Sequence, residues 1–336
     1  MQRGTGTASE HILNRTCDIN RREFVRRTML AAAGSTLAFA SAGTTQAEEK
    51  PAESSQAGVT GSGCPQGKIG KLQISRLILG SNMITGCIHA RDMWTFVNNL
   101  NKRYNTEEKI LETLAIAEKN GINTIMTHAD GRYLKLLKKY RDERGGKLQW
   151  IVGIGTQDKE SIRKFFEDGV EAMYIFGHTC DKLCAEGNVD LLARTLEYIK
   201  LNDVPAGICG HDLNVINFCE KNNLAADFYV KTFHHHHYPS APRPDELKGP
   251  VSENPGYWCK DPVETAAIMK EVKKPWIAFK VMAAGVIPPA NAFKYAYENG
   301  SDFILAGMFD FEIEEDVRIA REVLANLPKR ERAWQG

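Results

Sequence analysis

One stretch of the sequence shows the pattern that predicts the fold: Phe228-Tyr229-Val230-Lys231-Thr232, followed by Phe233 and four histidines at 234–237. A short run of aromatic and β-branched residues predicts a buried strand, and here it ends in ionisable rings. Seven histidines follow predicted strands in this way: His128, His178, His211, His234, His235, His236 and His237. An eighth, His89, comes soon after the first predicted strand.

Short apolar runs of this kind alternate with amphipathic helical segments along most of the chain. The predicted strands are 72–80, 121–127, 149–153, 172–176, 205–209, 228–232, 276–281 and 303–306. The predicted helices between and after them are 107–120, 132–143, 161–166, 189–201, 213–221, 262–272, 291–298 and 312–327. Alternating strands and helices form parallel sheets. Eight units without an obvious linker favour a closed (β/α)₈ TIM barrel over an open sheet, and no Gly-x-Gly-x-x-Gly follows the first strand to indicate a Rossmann fold.

Histidines at several strand ends would meet on one face of such a barrel, the face that carries the active site. Converging imidazoles usually bind a metal or transfer protons. We predict a divalent transition metal (Zn, Mn, Fe, Ni or Cu) held by His178, His211 and His235, with His128 or Asp130 as a further ligand. His234 or His236 could replace His235, and a metal-free acid/base site is the alternative.

Three residues at predicted strand ends are candidates for catalysis. Lys231 ends the sixth strand, Lys280 ends the seventh, and Asp130 follows the second. A lysine buried near a metal ion has a lowered pKa and can serve as a base or stabilise an oxyanion. The alternative is structural, because either lysine could instead form a salt bridge inside the barrel.

The amino-terminal region resembles a twin-arginine signal peptide. Asn20-Arg21-Arg22-Glu23-Phe24-Val25-Arg26 is followed by an apolar, small-residue stretch over 29–42 that is too short for a good membrane span. We predict a signal peptide at 1–47, a disordered linker at 48–71 and one barrel domain at 72–330. The mature protein would be periplasmic or secreted, with the twin-arginine export machinery as a partner. An amino-terminal helix of the fold, or a retained anchor, is the alternative.

Charge and cysteine content limit the classes of function. The chain has 43 Lys and Arg against 42 Asp and Glu, a balance that gives no electrostatic reason for binding nucleic acid or an acidic membrane. Cys17 would leave with the signal, and the other seven cysteines are irregularly spaced. They do not form a disulfide framework, and most are expected to fill the core.

Four segments resemble the aldo/keto reductase superfamily. They are Ile74–Gly80 (first strand), Gly121–Ile125 (lead into the second strand), Tyr174–Asp181 (fourth strand) and Ala306–Met308 (eighth strand). The resemblance implies a TIM barrel, NADPH as cofactor and a catalytic tetrad of Asp, Tyr, Lys and His.

The chain departs from that tetrad at three of its four positions. Met126 stands where the Asp is expected, and Gly131 stands at the Tyr position, although Tyr133 is near. The third strand and its end, 150–155, offer no lysine, so His178 alone would remain. Without the Tyr and its Lys partner, carbonyl reduction lacks its general acid, and an exported enzyme cannot easily recycle free NADPH.

These observations leave three hypotheses about function. The main one is an exported, metal-dependent enzyme of the lyase, isomerase or hydrolase type acting on a small polar substrate. A sugar derivative is suggested by Tyr257 and Trp258 in the long connection 239–261. The alternative is an NADP-dependent reductase-like oxidoreductase with Tyr133 as its acid. The second alternative is a non-catalytic barrel that binds a metal or ligand.

Overall fold

A computed structural model describes residues 63–247 and 259–336. The signal predicted at 1–47, most of the predicted linker, and Tyr257 with Trp258 lie outside these residues, so export and an aromatic binding loop stay predictions. None of the helices within the described residues has both the length and the apolar composition of a membrane span.

Eight parallel strands close into a barrel, which confirms the predicted TIM-barrel fold. In chain order they are β3 (Leu77–Gly80), β4 (Thr124–His128), β5 (Gln149–Ile154), β6 (Ala172–Ile175), β7 (Ala206–Gly210), β8 (Phe228–Thr232), β9 (Trp276–Phe279) and β10 (Phe303–Gly307). Each pairs with the next, and β10 closes the ring on β3, where Ala306 lies opposite Leu79.

An antiparallel hairpin precedes the barrel. Its strands are β1 (Gln66–Ile69) and β2 (Leu72–Ser75), so the predicted first strand at 72–80 divides at Arg76 into β2 and β3. Residues 66–71, assigned from composition to the linker, are therefore part of the folded domain. The physical reason is packing, because Ile69 and Ile74 are buried against the side chains that fill the barrel interior.

Helices surround the barrel, and three of them were not indicated by the sequence. The helices are α1 (Asn82–Thr85), α2 (Trp94–Tyr104), α3 (Glu107–Lys119), α4 (Gly131–Arg144), α5 (Lys159–Glu167), α6 (Gly177–Ala185), α7 (Val189–Lys200), α8 (Leu213–Lys221), α9 (Pro262–Glu271), α10 (Pro289–Glu298) and α11 (Ile313–Ala325). Single 3₁₀ turns occupy Arg91–Met93 and Pro244–Glu246. Helices α1, α2 and α6 escape prediction; α2, for example, buries Asn98 and Asn101 rather than an apolar stripe.

The core has two layers, and strand alternation decides which layer each side chain joins. Inside the barrel, Phe228 and Val230 of β8 pack with Ile151 and Ile277 from other strands. The intervening Tyr229 of β8 belongs to the layer between sheet and helices. Positions of even number on β8 therefore face the interior, and its lysine does not.

Candidate active site

A cavity of about 450 Å³ lies at the carboxyl ends of the barrel strands. Its ionisable side chains come from six of the eight strands or the segments that follow them: Cys87, His89, His128, Tyr174, His178, Cys209, His211, Lys280, Glu312 and Asp316. Apolar side chains such as Met126, Val230, Phe279 and Leu305 form much of the remaining wall. Polar groups converging in an apolar cavity on this face are what an active site requires.

The central feature is a hydrogen bond between His211, just after β7, and Asp181 of α6. His211 Nδ1 lies 2.7 Å from Asp181 Oδ2, and the other carboxylate oxygen accepts from the backbone N–H of His211 at 2.9 Å. A carboxylate can only accept, so Nδ1 carries the hydrogen and Nε2 is the ring nitrogen for proton exchange with a ligand. A buried histidine oriented by an aspartate is an arrangement used for general acid/base catalysis.

Gly177, the first residue of α6, makes this arrangement possible. A Cβ atom on Gly177 would lie 2.6 Å from Cε1 of His211 and 2.9 Å from its Nδ1, closer than any normal contact. The strand–helix turn therefore needs glycine so that α6 can bring Asp181 against the histidine ring.

Aromatic rings contact two further cavity histidines, His128 and His178. The His178 ring lies 5.0 Å from that of His211 and stacks on Phe176 at 5.9 Å, measured between centroids. His128 meets Phe176 edge to face at 5.0 Å. Three imidazoles from β4, α6 and the end of β7 thus line one side of the cavity, as their placement at strand ends predicted.

Two buried residues on the cavity wall keep their protons. Burial raises the pKa of the Tyr174 phenol well above its usual range, and it also raises that of the Cys209 thiol. At neutral pH, Tyr174 is therefore a hydrogen-bond donor, and Cys209 is not a thiolate nucleophile.

The connection from β9 to α10 has an unusual backbone. Lys280, Ala283, Ala284 and Gly285 have positive φ values of 58°, 48°, 63° and 81°. Among the described residues, no backbone carbonyl accepts from the N–H groups of residues 284–286. Ala284 and Gly285 line the cavity beside the Lys280 side chain, and the backbone N–H groups of such a turn are suited to bind an anion.

Two carboxylates line the cavity on the β10 side. Glu312 and Asp316 lie one turn apart at the start of α11, and Glu312 accepts from the backbone N–H of Phe309 at 2.9 Å. Burial, with the nearby charges of Glu312 and Glu315, raises the pKa of Asp316 to about 7.

We predict that Asp316→Asn stabilises the protein at pH 8 but not near pH 4. The folded protein holds the Asp316 proton more tightly than the unfolded chain, so stability falls as the pH rises from the ordinary aspartate pKa of 3.8 through about 7. Each pKa unit corresponds to about 1.4 kcal/mol, and solvent screening in the cavity reduces this, so we expect a gain of about 2 kcal/mol at pH 8. Urea unfolding of the variant and the wild type at both pH values measures this difference in the free energy of unfolding. A variant that is no more stable than the wild type at pH 8 contradicts the prediction.

Several residues chosen from the sequence lie away from the cavity. His235 contacts Tyr295 edge to face at 5.1 Å, and its Nδ1 accepts from the His237 backbone. Asp130 is exposed and caps α4 by accepting from the Arg132 backbone.

Lys231 is buried but faces the outer layer instead of the interior, because Val230 takes the inward position on β8. Its Nζ donates to the carbonyl of His211 and to the carbonyl and hydroxyl of Thr232, at 2.8–3.0 Å. Burial lowers the pKa of Lys231. These hydrogen bonds give Lys231 a structural role, because they link β8 to the end of β7.

The predicted metal ligands are only partly brought together. His128, His178 and His211 share the cavity, whereas His235 does not, and Nδ1 of His211 is engaged by Asp181. No group of three or more His, Cys, Asp or Glu side chains within 63–247 and 259–336 is arranged to hold a metal ion. The arrangement of donors therefore does not support the predicted metal centre.

Three functional candidates were not selected from the sequence. Asp181 follows His178 by three residues, and this spacing becomes informative only once 177–185 is known to be helical. Tyr174 lies inside a predicted strand, with no signal separating it from core residues. Asp316 sits in an acidic first turn, where carboxylates are common simply because they favour helix starts.

Comparisons with known proteins identify the fold. No family model and no curated protein matches the chain. A protein from Pseudomonas aeruginosa assigned as an aldo-keto reductase has a TM-score of 0.52 at 15% identity, covering 77% of this chain and 96% of its own. Aldo-keto reductase AKR11C1 from Bacillus halodurans, in its holo form, has a TM-score of 0.52 at 11% identity, covering 80% and 100%. These similarities show that the chain shares the aldo-keto reductase barrel fold.

Proposed function

We propose that this protein is a nicotinamide-dependent oxidoreductase that interconverts a small carbonyl compound and its alcohol. The observation that carries the proposal is the His211–Asp181 pair in a cavity at the active face of the barrel. The fold shared with aldo-keto reductases supports redox chemistry over the metal-dependent lyase, isomerase or hydrolase reading.

The residues of the cavity fit a nicotinamide dinucleotide. Lys280 and the backbone N–H groups of Ala284 and Gly285 suit its phosphates, and Phe279 with the apolar wall suits its rings. When bound, the cofactor supplies or accepts the hydride. NADP(H) is the form that the family resemblance implies.

The chain's own residues would handle the proton and the substrate oxygen. His211 donates a proton from Nε2 to the forming alkoxide, and Asp181 stabilises the imidazolium from which that proton leaves. Tyr174 stays protonated and can donate a hydrogen bond to the same oxygen. In the direction of alcohol oxidation, His211 acts as the base.

This arrangement would replace the tetrad expected from the resemblance. Met126, at the expected Asp position, lines the cavity as an apolar side chain. Tyr133 does not line the cavity, and its hydroxyl donates to the carbonyl of Thr85 at 2.9 Å. The proton donor thus moves from the end of β4 to the end of β7.

Cofactor titration tests the proposal. NADPH and NADH are titrated into the purified chain by calorimetry, beside Lys280→Gln and the exposed control Lys294→Gln. We expect saturable binding of at least one dinucleotide, weakened about tenfold or more by Lys280→Gln and unchanged by the control. A panel of small aldehydes and ketones is then assayed by the loss of reduced cofactor. Failure of both dinucleotides to bind overturns the proposal.

Elemental analysis distinguishes a metal-dependent enzyme from the proposed nicotinamide-dependent oxidoreductase. A transition metal retained by the purified protein and lost in the His178→Ala/His211→Ala double variant would favour metal-assisted chemistry. Binding of a dinucleotide without turnover of any substrate in the panel would favour the non-catalytic alternative.

A further inference from the structure

The carboxylates on the β10 side of the cavity have no role in the proton transfer proposed above. Asp316 is only 5% exposed, and its side chain forms no hydrogen bond or ion pair with the described residues. A buried carboxyl group without a partner destabilises the protein unless a ligand provides hydrogen bonds. Asp316 and its neighbour Glu312 therefore mark a part of the cavity that suits a ligand with hydrogen-bond donors.

The order of strands around the barrel indicates which part of a dinucleotide lies there. The ring runs β7, β8, β9, β10, so the Lys280 connection after β9 lies between His211 after β7 and Glu312 after β10. The nicotinamide must lie beside the proton donor, and the pyrophosphate suits the connection after β9. The adenosine half is then directed toward β10 and the two carboxylates.

The charges around the cavity limit which adenosine fits. Among the described residues that line it, Lys280 is the one lysine and there is no arginine. A pyrophosphate at Lys280 leaves no further lysine or arginine there to neutralise a second phosphate group. Carboxylates are suited to hydrogen-bond the two hydroxyls of a ribose, whereas an arginine accommodates a 2′-phosphate.

We infer that the cavity takes NAD(H) in preference to NADP(H), with Glu312 and Asp316 binding the adenosine ribose and repelling a 2′-phosphate. The inference rests on the proposed function and differs from it in naming the cofactor. It departs from the NADPH that the family resemblance implies, because the chain places carboxylates where a 2′-phosphate needs cations.

The test compares dissociation constants for NADH and NADPH, measured by calorimetry at one ionic strength. The variants are the double substitution Glu312→Gln/Asp316→Asn and the control Glu314→Gln, which removes an exposed charge of the same helix. We expect the wild type and the control to bind NADH about tenfold or more tightly than NADPH. The double variant should bring the two constants within about threefold of each other. Thermal melts confirm that each variant is folded.

Each outcome decides the inference. Tighter binding of NADPH by the wild type overturns the preference while leaving the proposed function intact. An unchanged ratio in the folded double variant overturns the role of the two carboxylates. If neither dinucleotide binds the wild type, the proposed function fails and the inference fails with it.

Discussion

Asp302→Ala is expected to lower the free energy of unfolding by about 3–5 kcal/mol, the largest effect on stability that we predict. Asp302 precedes β10 and forms a salt bridge of 2.6 Å with Arg332, in which the two side chains are 0% and 2% exposed. It also accepts from the backbone N–H groups of Trp276 and Gln335. Its loss would leave three donors unpaired, one of them a buried cation that also holds four backbone carbonyls.

Glu331→Ala is the matched control for this prediction. Glu331 pairs with Lys270 at 2.9 Å, but the two side chains are 83% and 47% exposed. Exposed pairs contribute little, so the control should change stability by no more than about 0.5 kcal/mol. Urea unfolding followed by circular dichroism measures both variants. A loss below about 1 kcal/mol in Asp302→Ala would mean that the buried pair is not needed to hold residues 332–335 against the barrel.

His211→Ala and Asp181→Asn are each expected to lower kcat by about 100- to 10,000-fold in the carbonyl assay. Alanine removes the proton donor. Asparagine keeps the size of the carboxylate but no longer stabilises the imidazolium, and its amide N–H₂ can favour the wrong tautomer. Because the two residues act as one unit, the double variant should be scarcely slower than either single one.

Two further measurements separate this role from a structural one. His235→Ala is the control, since this histidine also follows a strand but packs on Tyr295 outside the cavity, and its kcat should not change. Asp181→Asn should also move the alkaline limb of the pH–rate profile for carbonyl reduction to lower pH, because the imidazolium that donates the proton loses its anionic partner. Unchanged kcat in folded His211→Ala would remove this histidine from the mechanism.

The sequence was sufficient for the barrel because its signals are local. Runs such as 228–232 and 303–306 mark strands through apolar and β-branched side chains, and the structure has strands there. The expected convergence of His128, His178 and His211 followed from topology alone, because parallel strands direct their carboxyl ends to one face. The sequence did not predict segments in which polar side chains are buried, such as helix α2 with its buried Asn98 and Asn101.

The sequence by itself thus determined the eight-stranded barrel and the face on which its ionisable residues gather, because both depend on short-range patterns and strand direction. Only the tertiary structure decided which of those residues meet. Pairing of His211 with Asp181 depends on a helix that begins at Gly177, and a one-residue alternation on β8 turns Lys231 away from the cavity. Such contacts depend on side-chain direction and packing between segments distant in sequence, which no local pattern specifies.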